Sequence, residues 1–428
     1  MNVELINNSG LCTKKVEYVI DFLLERFNFR NDCLKVIYGG KLPTTNGNNI
    51  VYIRCMPLED YTDLIVTLAQ NPMKGIEFSN MIEIEYDLID FVFSLLNETV
   101  SWMPVKKDVH GRVKPNMHVN YKIPVIDLIL EVLISKINTV YQLHIEYKKE
   151  RGTCSVSHDI DNIAAFDSPI SLLRAIKRII SKGGLGFRIH ALIRFIVDFM
   201  RGKDPYYNFD DIMEEVEKVN LTSTYYFMVG GLTKYDGRYK AKNYKTLIDD
   251  LCSSRHLVGL HPSYDAGFSV GILADEVNVF NEIANRNCEH VRYHYLRFDS
   301  HNIAKDLNQH SILTDTSSGF ASHCGFRNGT CYPFRKWLDS TGSASDTKFL
   351  PLSFMDTTVL GYMLLDAEGA LMELSSVIEQ VARYRGHLDL LWHNSNMYYY
   401  NGIDERKLFR NSLNLMVQSL TPQSVEKL

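Results

Sequence analysis

The stretch "CSVSHDID", residues 154–161, ends in two acids one residue apart, Asp159 and Asp161. Residues two apart in a strand point to the same face, so both carboxylates arrive together where the strand gives way to a loop. There, one acid can ligate a metal while its neighbour takes a proton. An isolated D-x-D more often caps or turns the following segment, here "NIAAFDSPISLL", so its meaning depends on what surrounds it.

From Cys154 onward the order is strand, helix, strand, helix. "CSVSHDID" is followed by a long helical region, then "STYYFMVGG", a helix around "YKTLIDDLCS", "LVGLHPSY", the helix "ILADEVNVFNEIANR" and "HVRYHYLRF". Strands alternating with helices imply parallel βαβ units, either doubly wound or closed into a barrel. In both cases chemistry collects at the C-terminal ends of the strands. Residues 1–150 have a different rhythm. Helical patterns ("VEYVIDFLLERF", "YDLIDFVFSLL", "VIDLILEVLISKI") alternate with short strand-like runs ("CLKVIYGG", "NIVYIRC", "GIEF"), and "KKDVHGRVKPNMH", residues 106–118, has loop composition. The boundary is set at residue 150, with a mixed α/β accessory region before it and the region of alternating strands and helices, 151–428, after it.

The chain of 428 residues is long enough for two or three domains. With 45% apolar and 23% charged residues and a net charge of −5, its composition is that of an ordinary globular protein and gives no reason to expect nucleic acid as partner. The eight cysteines are scattered without a C-x-x-C pair, which suits reduced thiols. No run approaches the roughly 20 apolar residues of a spanning helix. The start, "MNVELINNSGLCTKKVEYVIDFLLERF", has no export signal pattern, so a cytoplasmic location is expected. One segment departs from the overall balance. Residues 171–203, "SLLRAIKRIISKGGLGFRIHALIRFIVDFMRGK", carry eight Lys or Arg against one acid, Asp198. Two basic amphipathic helices joined by "GGLG" suit peripheral contact with an anionic inner-membrane surface or a phosphate-bearing substrate, although a solvated basic face is the commoner meaning.

Three further segments bear chemistry. In "GLHPSYDAG", His261 closes an apolar strand, and one turn would bring Asp265 back beside it. In "VRYHYLRF", read as an alternating strand, Arg292 and His294 share a face that needs an acidic neighbour. "LDLLWHN" delivers His393 at a strand end, where an imidazole can serve as general acid.

Together these residues resemble the polysaccharide deacetylase family, carbohydrate esterase family 4 with the NodB homology domain, and they come in that family's motif order. "HDID" matches the first motif, which implies Asp159 as base and Asp161 as metal ligand. "HPSYD" keeps the first histidine of H-[ST]-x-x-H as His261 but has Asp265 where the second should stand. His294 is the candidate replacement ligand and Asp265 its competitor. "RYHY" matches R-x-x-Y, implying that Arg292 orients the base. "ILTDTSSGF" offers Asp315 as the aspartate that tunes the acid, and Leu390 to His393 match L-x-x-H, implying His393 as that acid. "DPYYNFDDIMEEVEKVNLTSTYYFMVGG", "GFRNGTCYPF" and "KKDVHGRV" resemble a bacterial subgroup with an additional N-terminal domain.

The resemblance implies a distorted (β/α)7 TIM-like barrel and one divalent metal, zinc first. It also implies hydrolysis of the N-acetyl group of an acetamido sugar that is lipid-linked, nucleotide-linked or part of an oligosaccharide. Tyr264, Tyr295, Arg297, Arg327 and Trp392 are the candidates for holding the sugar, with Tyr293 as a further stacking aromatic, although core packing is at least as common a role for such rings. His110 and Arg112 can bring a loop to the cleft, although a capped turn is the favoured reading. Two alternatives stand beside deacetylation: an N-deformylase using the same residues, and an inactive sugar-binding or scaffolding module, for which the altered H-x-x-x-H motif argues.

Overall fold

The computed structural model describes residues 3–29, 34–41, 49–55, 61–78, 81–99, 106–181, 184–237, 239–400 and 403–425. The expected N-terminal helices are found at Thr13–Leu24, Leu88–Asn97 and Val125–Tyr141, and the expected strands at Leu34–Tyr38, Ile50–Ile53 and Ile76–Phe78. A strand at Val3–Asn7 and another at Ile82–Ile84 complete a five-stranded sheet, parallel except at its Ile76–Phe78 edge.

After residue 150 the parallel strands run in sequence order. Thr153–Ile160 pairs with Ser223–Phe227, which pairs with Leu257–Leu260, then His290–Val291, then Thr314–Gly319, then Ser343–Leu352. Beyond Ser353 the chain continues as Phe354–Met355, which pairs with His387–Leu391, and that strand pairs back onto Thr153–Ile160. The sheet is therefore curled, and one continuous stretch of chain, 343–355, joins its two ends. An antiparallel strand, Phe334–Leu338, lies on the outside of this seam.

The first parallel strand shows how the sequence builds this arrangement. All eight of its residues are buried. Cys154, Val156 and Ile160 join the main apolar cluster, while Ser155, Ser157 and Asp159 on the opposite face make polar contacts inside the curl. Burying each aliphatic side chain is worth about 1.5–3 kcal/mol. The inward serines are tolerated because each donates a hydrogen bond to Asp389 on the neighbouring strand.

The same apolar cluster runs from Val16 through Leu420, so the N-terminal region packs directly on the curled sheet. Two buried acids add polar ties. Asp127 accepts from Arg26, Thr330 and the Cys331 backbone. Glu98 accepts from Arg327 at 2.5 Å and Lys336 at 2.9 Å. Seven cysteines are free thiols, and Cys33 lies outside the described residues. Among the described residues, no helix is long and apolar enough to cross a membrane.

Candidate metal centre and catalytic cleft

Asp161, His261 and His294 converge, each offering one ligand atom, with all three atoms within 4.8 Å of one another. His261 Nε2 lies 3.0 Å from His294 Nδ1, and Asp161 Oδ1 lies 3.3 Å from both. The outer nitrogens explain why this arrangement calls for a cation. His261 Nδ1 sits 2.5 Å from the Arg292 carbonyl, and His294 Nε2 sits 3.0 Å from the Tyr235 carbonyl. A carbonyl only accepts, so each outer nitrogen carries a ring proton, and in the neutral form of either ring the inner nitrogen presents a lone pair. Asp161 Oδ1 is buried and receives no hydrogen bond. Three acceptors facing one another repel unless a positive charge lies between them. Burial works against the charged form of His294, but Asp161 overrides it and raises the pKa. Two nitrogens and one carboxylate oxygen form a donor set that suits zinc or another divalent first-row ion and leaves a coordination position open.

Asp159 stands beside this cluster, with Oδ2 3.8 Å from His261 Nε2. Its Oδ1 accepts from Arg292 at 3.1 Å. Arg292 is fully buried, donating also to Ser157, to the Thr316 carbonyl and to Asp389. Its guanidinium lies between two carboxylates, which compensates an otherwise prohibitive buried charge. His393 Nε2 is 3.8 Å from Asp161 Oδ2. His393 Nδ1 is 2.7 Å from Asp356 Oδ1, and the His393 backbone N–H donates to Asp356 Oδ2. Burial opposes protonation of His393, but Asp356 and the nearby acids prevail and push its pKa up to about 10.

A cavity of 180 Å³ opens onto these groups, lined among others by Asp159, Asp161, His294, His393, Tyr295 and Arg112. Arg112 comes from the N-terminal region. Asp108 both caps the turn that carries Arg112 and pairs with its guanidinium, which also donates to the Tyr295 carbonyl and the Tyr362 hydroxyl. The "D-x-HGR" segment is thus a capped turn that also reaches the cleft. His110 meets Tyr264, Tyr235 and Tyr295 in an aromatic cluster at the rim.

Several expectations need correction. Asp315 does not touch His393; it accepts from the Ser317 backbone and hydroxyl, and burial raises its pKa to about 6. Asp265 does not turn back to His261 but forms a half-exposed pair with Arg297 at 3.3 Å. Of "VRYHYLRF" only Val291 is strand, the last residue of His290–Val291. His294–Leu296 is a single tight turn, with Tyr295 and Leu296 at φ 61° and 52°, an uncommon conformation for non-glycine residues, and His294 at its start lies beside His261 and Asp161. Trp392 is fully buried against Phe409 and donates to the Asn396 carbonyl, and Tyr293 is likewise buried. Neither ring lines the cavity. Arg327 is sequestered by Glu98. Arg297 donates to the His110 and Tyr264 carbonyls, holding the rim together, and Tyr264 lies behind Tyr295, stacked on Tyr235 at 4.4 Å.

Asp356 and Asp389 were missed in the sequence. Asp389 had a visible signal, a charged residue inside the apolar run "LDLLW"; Asp356 ends the run "FLPLSFM" much as Asp159 ends its own.

No protein-family model matches the chain, and no curated protein matches it in sequence. Solved structures of similar shape include a protein described as a polysaccharide deacetylase involved in O-antigen biosynthesis from Bordetella bronchiseptica, 16% identical over 64% of this chain and 86% of that one, with TM-score 0.34. PuuE allantoinase is 10% identical over 76% of this chain and 95% of its own, with TM-score 0.43. A pseudoenzyme of carbohydrate esterase family 4 from Bacillus anthracis is 8% identical over 65% and 66%, with TM-score 0.34. Likenesses of this depth leave the chemistry to be read from the site itself.

Proposed function

We propose that this chain is a metal-dependent amide hydrolase that removes the N-acetyl group from an acetamido sugar. The observation that carries this reading is the convergence of Asp161, His261 and His294, with Asp159 3.8 Å from His261 and His393 3.8 Å from Asp161. A pure binding site has no need of a base and an acid placed beside a cation site. The curl of seven parallel strands is read as a distorted (β/α)7 barrel, with residues 1–150 as an accessory domain.

Asp161, His261 and His294 would hold a divalent ion, which when bound would supply Lewis acidity toward water and an acyl oxygen. Asp159, with Oδ1 fixed by Arg292 and Oδ2 turned to the cleft, takes the proton of the attacking water. The amide C–N bond breaks as His393 delivers its Nε2 proton to the departing nitrogen, and Asp356 steadies the imidazolium through Nδ1. The products are acetate and an amino sugar. Tyr295, with Tyr264 and Tyr235 behind it, offers ring faces for the sugar. The substrate class is a lipid-linked or nucleotide-linked surface-polysaccharide precursor.

The test is acyl release from N-acetylated and N-formylated sugars by zinc-loaded protein beside Asp159→Asn. Release that is lost in the variant while its metal is retained is the expected result. Stoichiometric metal with no release from any such sugar overturns the hydrolase reading.

A further inference from the structure

The basic segment forms a helical hairpin, Pro169–Ser181 and Leu185–Met200, and follows the strand that ends in Asp159 and Ile160. Its inner face packs through Ala175, Ile179, Ala191 and Phe195. Its outer face is also apolar. On the second helix Leu185, Ile189, Ile193, Ile196, Phe199 and Met200 are each 48–78% exposed. At about 100° per residue these six fall within a sector of roughly 120°, one continuous stripe. The first helix adds Ile170, Leu173 and Ile180, at 44–66% exposure. A helix pair that is apolar inside and outside lacks a covering partner.

The charges around the stripe indicate what covers it. Arg174, Lys177, Arg201 and Lys203 are exposed on the hairpin or at its end. The one acid of the segment, Asp198, is turned in to the Tyr398 hydroxyl at 2.9 Å. This positive rim departs from the chain's net charge of −5. Two copies meeting through this face would oppose the same cations, whereas an anionic lipid surface satisfies both the apolar stripe and its rim.

We propose that the outer face of this hairpin docks on an anionic membrane surface, with Leu185, Ile189, Ile193 and Ile196 entering the headgroup boundary. The opposite, inward side of the hairpin is anchored to the body of the chain. Arg178 donates to the Ser395 carbonyl at 2.5 Å and to Glu405 at 3.0 Å, tying the hairpin to the turn that follows His393. Docking therefore brings the chain that carries the site to the surface on which a lipid-linked sugar is held. The surface itself does not depend on the hydrolase reading.

The experiment is flotation of the full chain with vesicles of phosphatidylcholine alone and with about 30% phosphatidylglycerol, at low and physiological salt. Binding to the anionic vesicles only, weakened by salt, is expected. I193D/I196D is expected to abolish binding with metal content and thermal melting unchanged. R174S/K177S is expected to weaken it about fivefold for each charge removed. The proposal is overturned by absence of flotation with either vesicle, by equal flotation with both, or by undiminished binding of I193D/I196D. It is also overturned by a dimer that I193D/I196D dissociates and vesicles do not compete for, which would assign the face to a second copy. None of these readouts uses catalysis, so a failure here is separable from a failure of the hydrolase reading.

Discussion

His261 Nε2 and His294 Nδ1 face each other across 3.0 Å, while the other nitrogen of each ring is committed to a backbone carbonyl. This relationship makes the pair two of the three donors of the candidate cation site, through tautomers that the backbone carbonyls select. Purified protein should carry one divalent ion. His261→Ala and His294→Ala should each lose it, and Asp265→Ala should keep it because Asp265 pairs with Arg297 at the surface. Elemental analysis decides this. Metal binding should also raise the thermal midpoint, since a ligand at 100 times its Kd stabilises the native state by about 2.7 kcal/mol. Retention of metal in His294→Ala with loss in Asp265→Ala would reverse the assignment.

Asp356 grips His393 through both its ring and its backbone, and Asp315 grips only Ser317. Asp356→Asn should therefore lower kcat by about 10²–10⁴, the usual worth of a positioned general acid, at unchanged metal content. Asp315→Asn should leave kcat within a few fold. Equal losses in the two variants would show that burial of either acid, rather than its contact with His393, is what matters.

The parts of this site legible in the sequence share one property. Asp159, Asp161, His261 and His393 each stand at or just past the end of a strand that the sequence marks, so strand period delivers them to the same end of the sheet. His294 was harder to place, because the alternating pattern of "VRYHYLRF" favours a strand, whereas the backbone turns at Tyr295 and Leu296 through positive φ that no side-chain pattern encodes. Arg327 was misread because its partner, Glu98, lies 229 residues away. Trp392 was misread against available information. With His393 directed to the cleft, period-two alternation sends Trp392 to the opposite face, where it meets Phe409.

That opposition separates binding from folding. Tyr295→Ala removes a ring from the cavity wall and should raise KM about two- to tenfold, the equivalent of about 0.5–1.5 kcal/mol of aromatic contact. Trp392→Phe should leave KM unchanged and lower the melting temperature, because it loses the hydrogen bond to Asn396 and leaves a void beside Phe409. A KM effect in Trp392→Phe without destabilisation would return that ring to the cleft.

Glu98 joins the N-terminal region to the curled sheet, and its ionisation sets an acid limit on that junction. Burial alone would raise its pKa, but Arg327 and Lys336 overcome burial and hold it at about 2, below the ordinary 4.5. A carboxylate depressed on folding contributes stability that is fully present above its unfolded pKa and is lost as pH falls through its folded pKa. The window here runs from about 4.5 down to about 2, and the contribution at neutral pH is about 3 kcal/mol. Glu98→Gln should cost about 3–5 kcal/mol at pH 7, because it strands two buried cations. It should also flatten the dependence of denaturation midpoint on pH between 4.5 and 2. Urea melts of the two proteins across that range check both effects. A variant as stable as the parent at pH 7 would mean that water, not the sheet, already solvates Arg327 and Lys336.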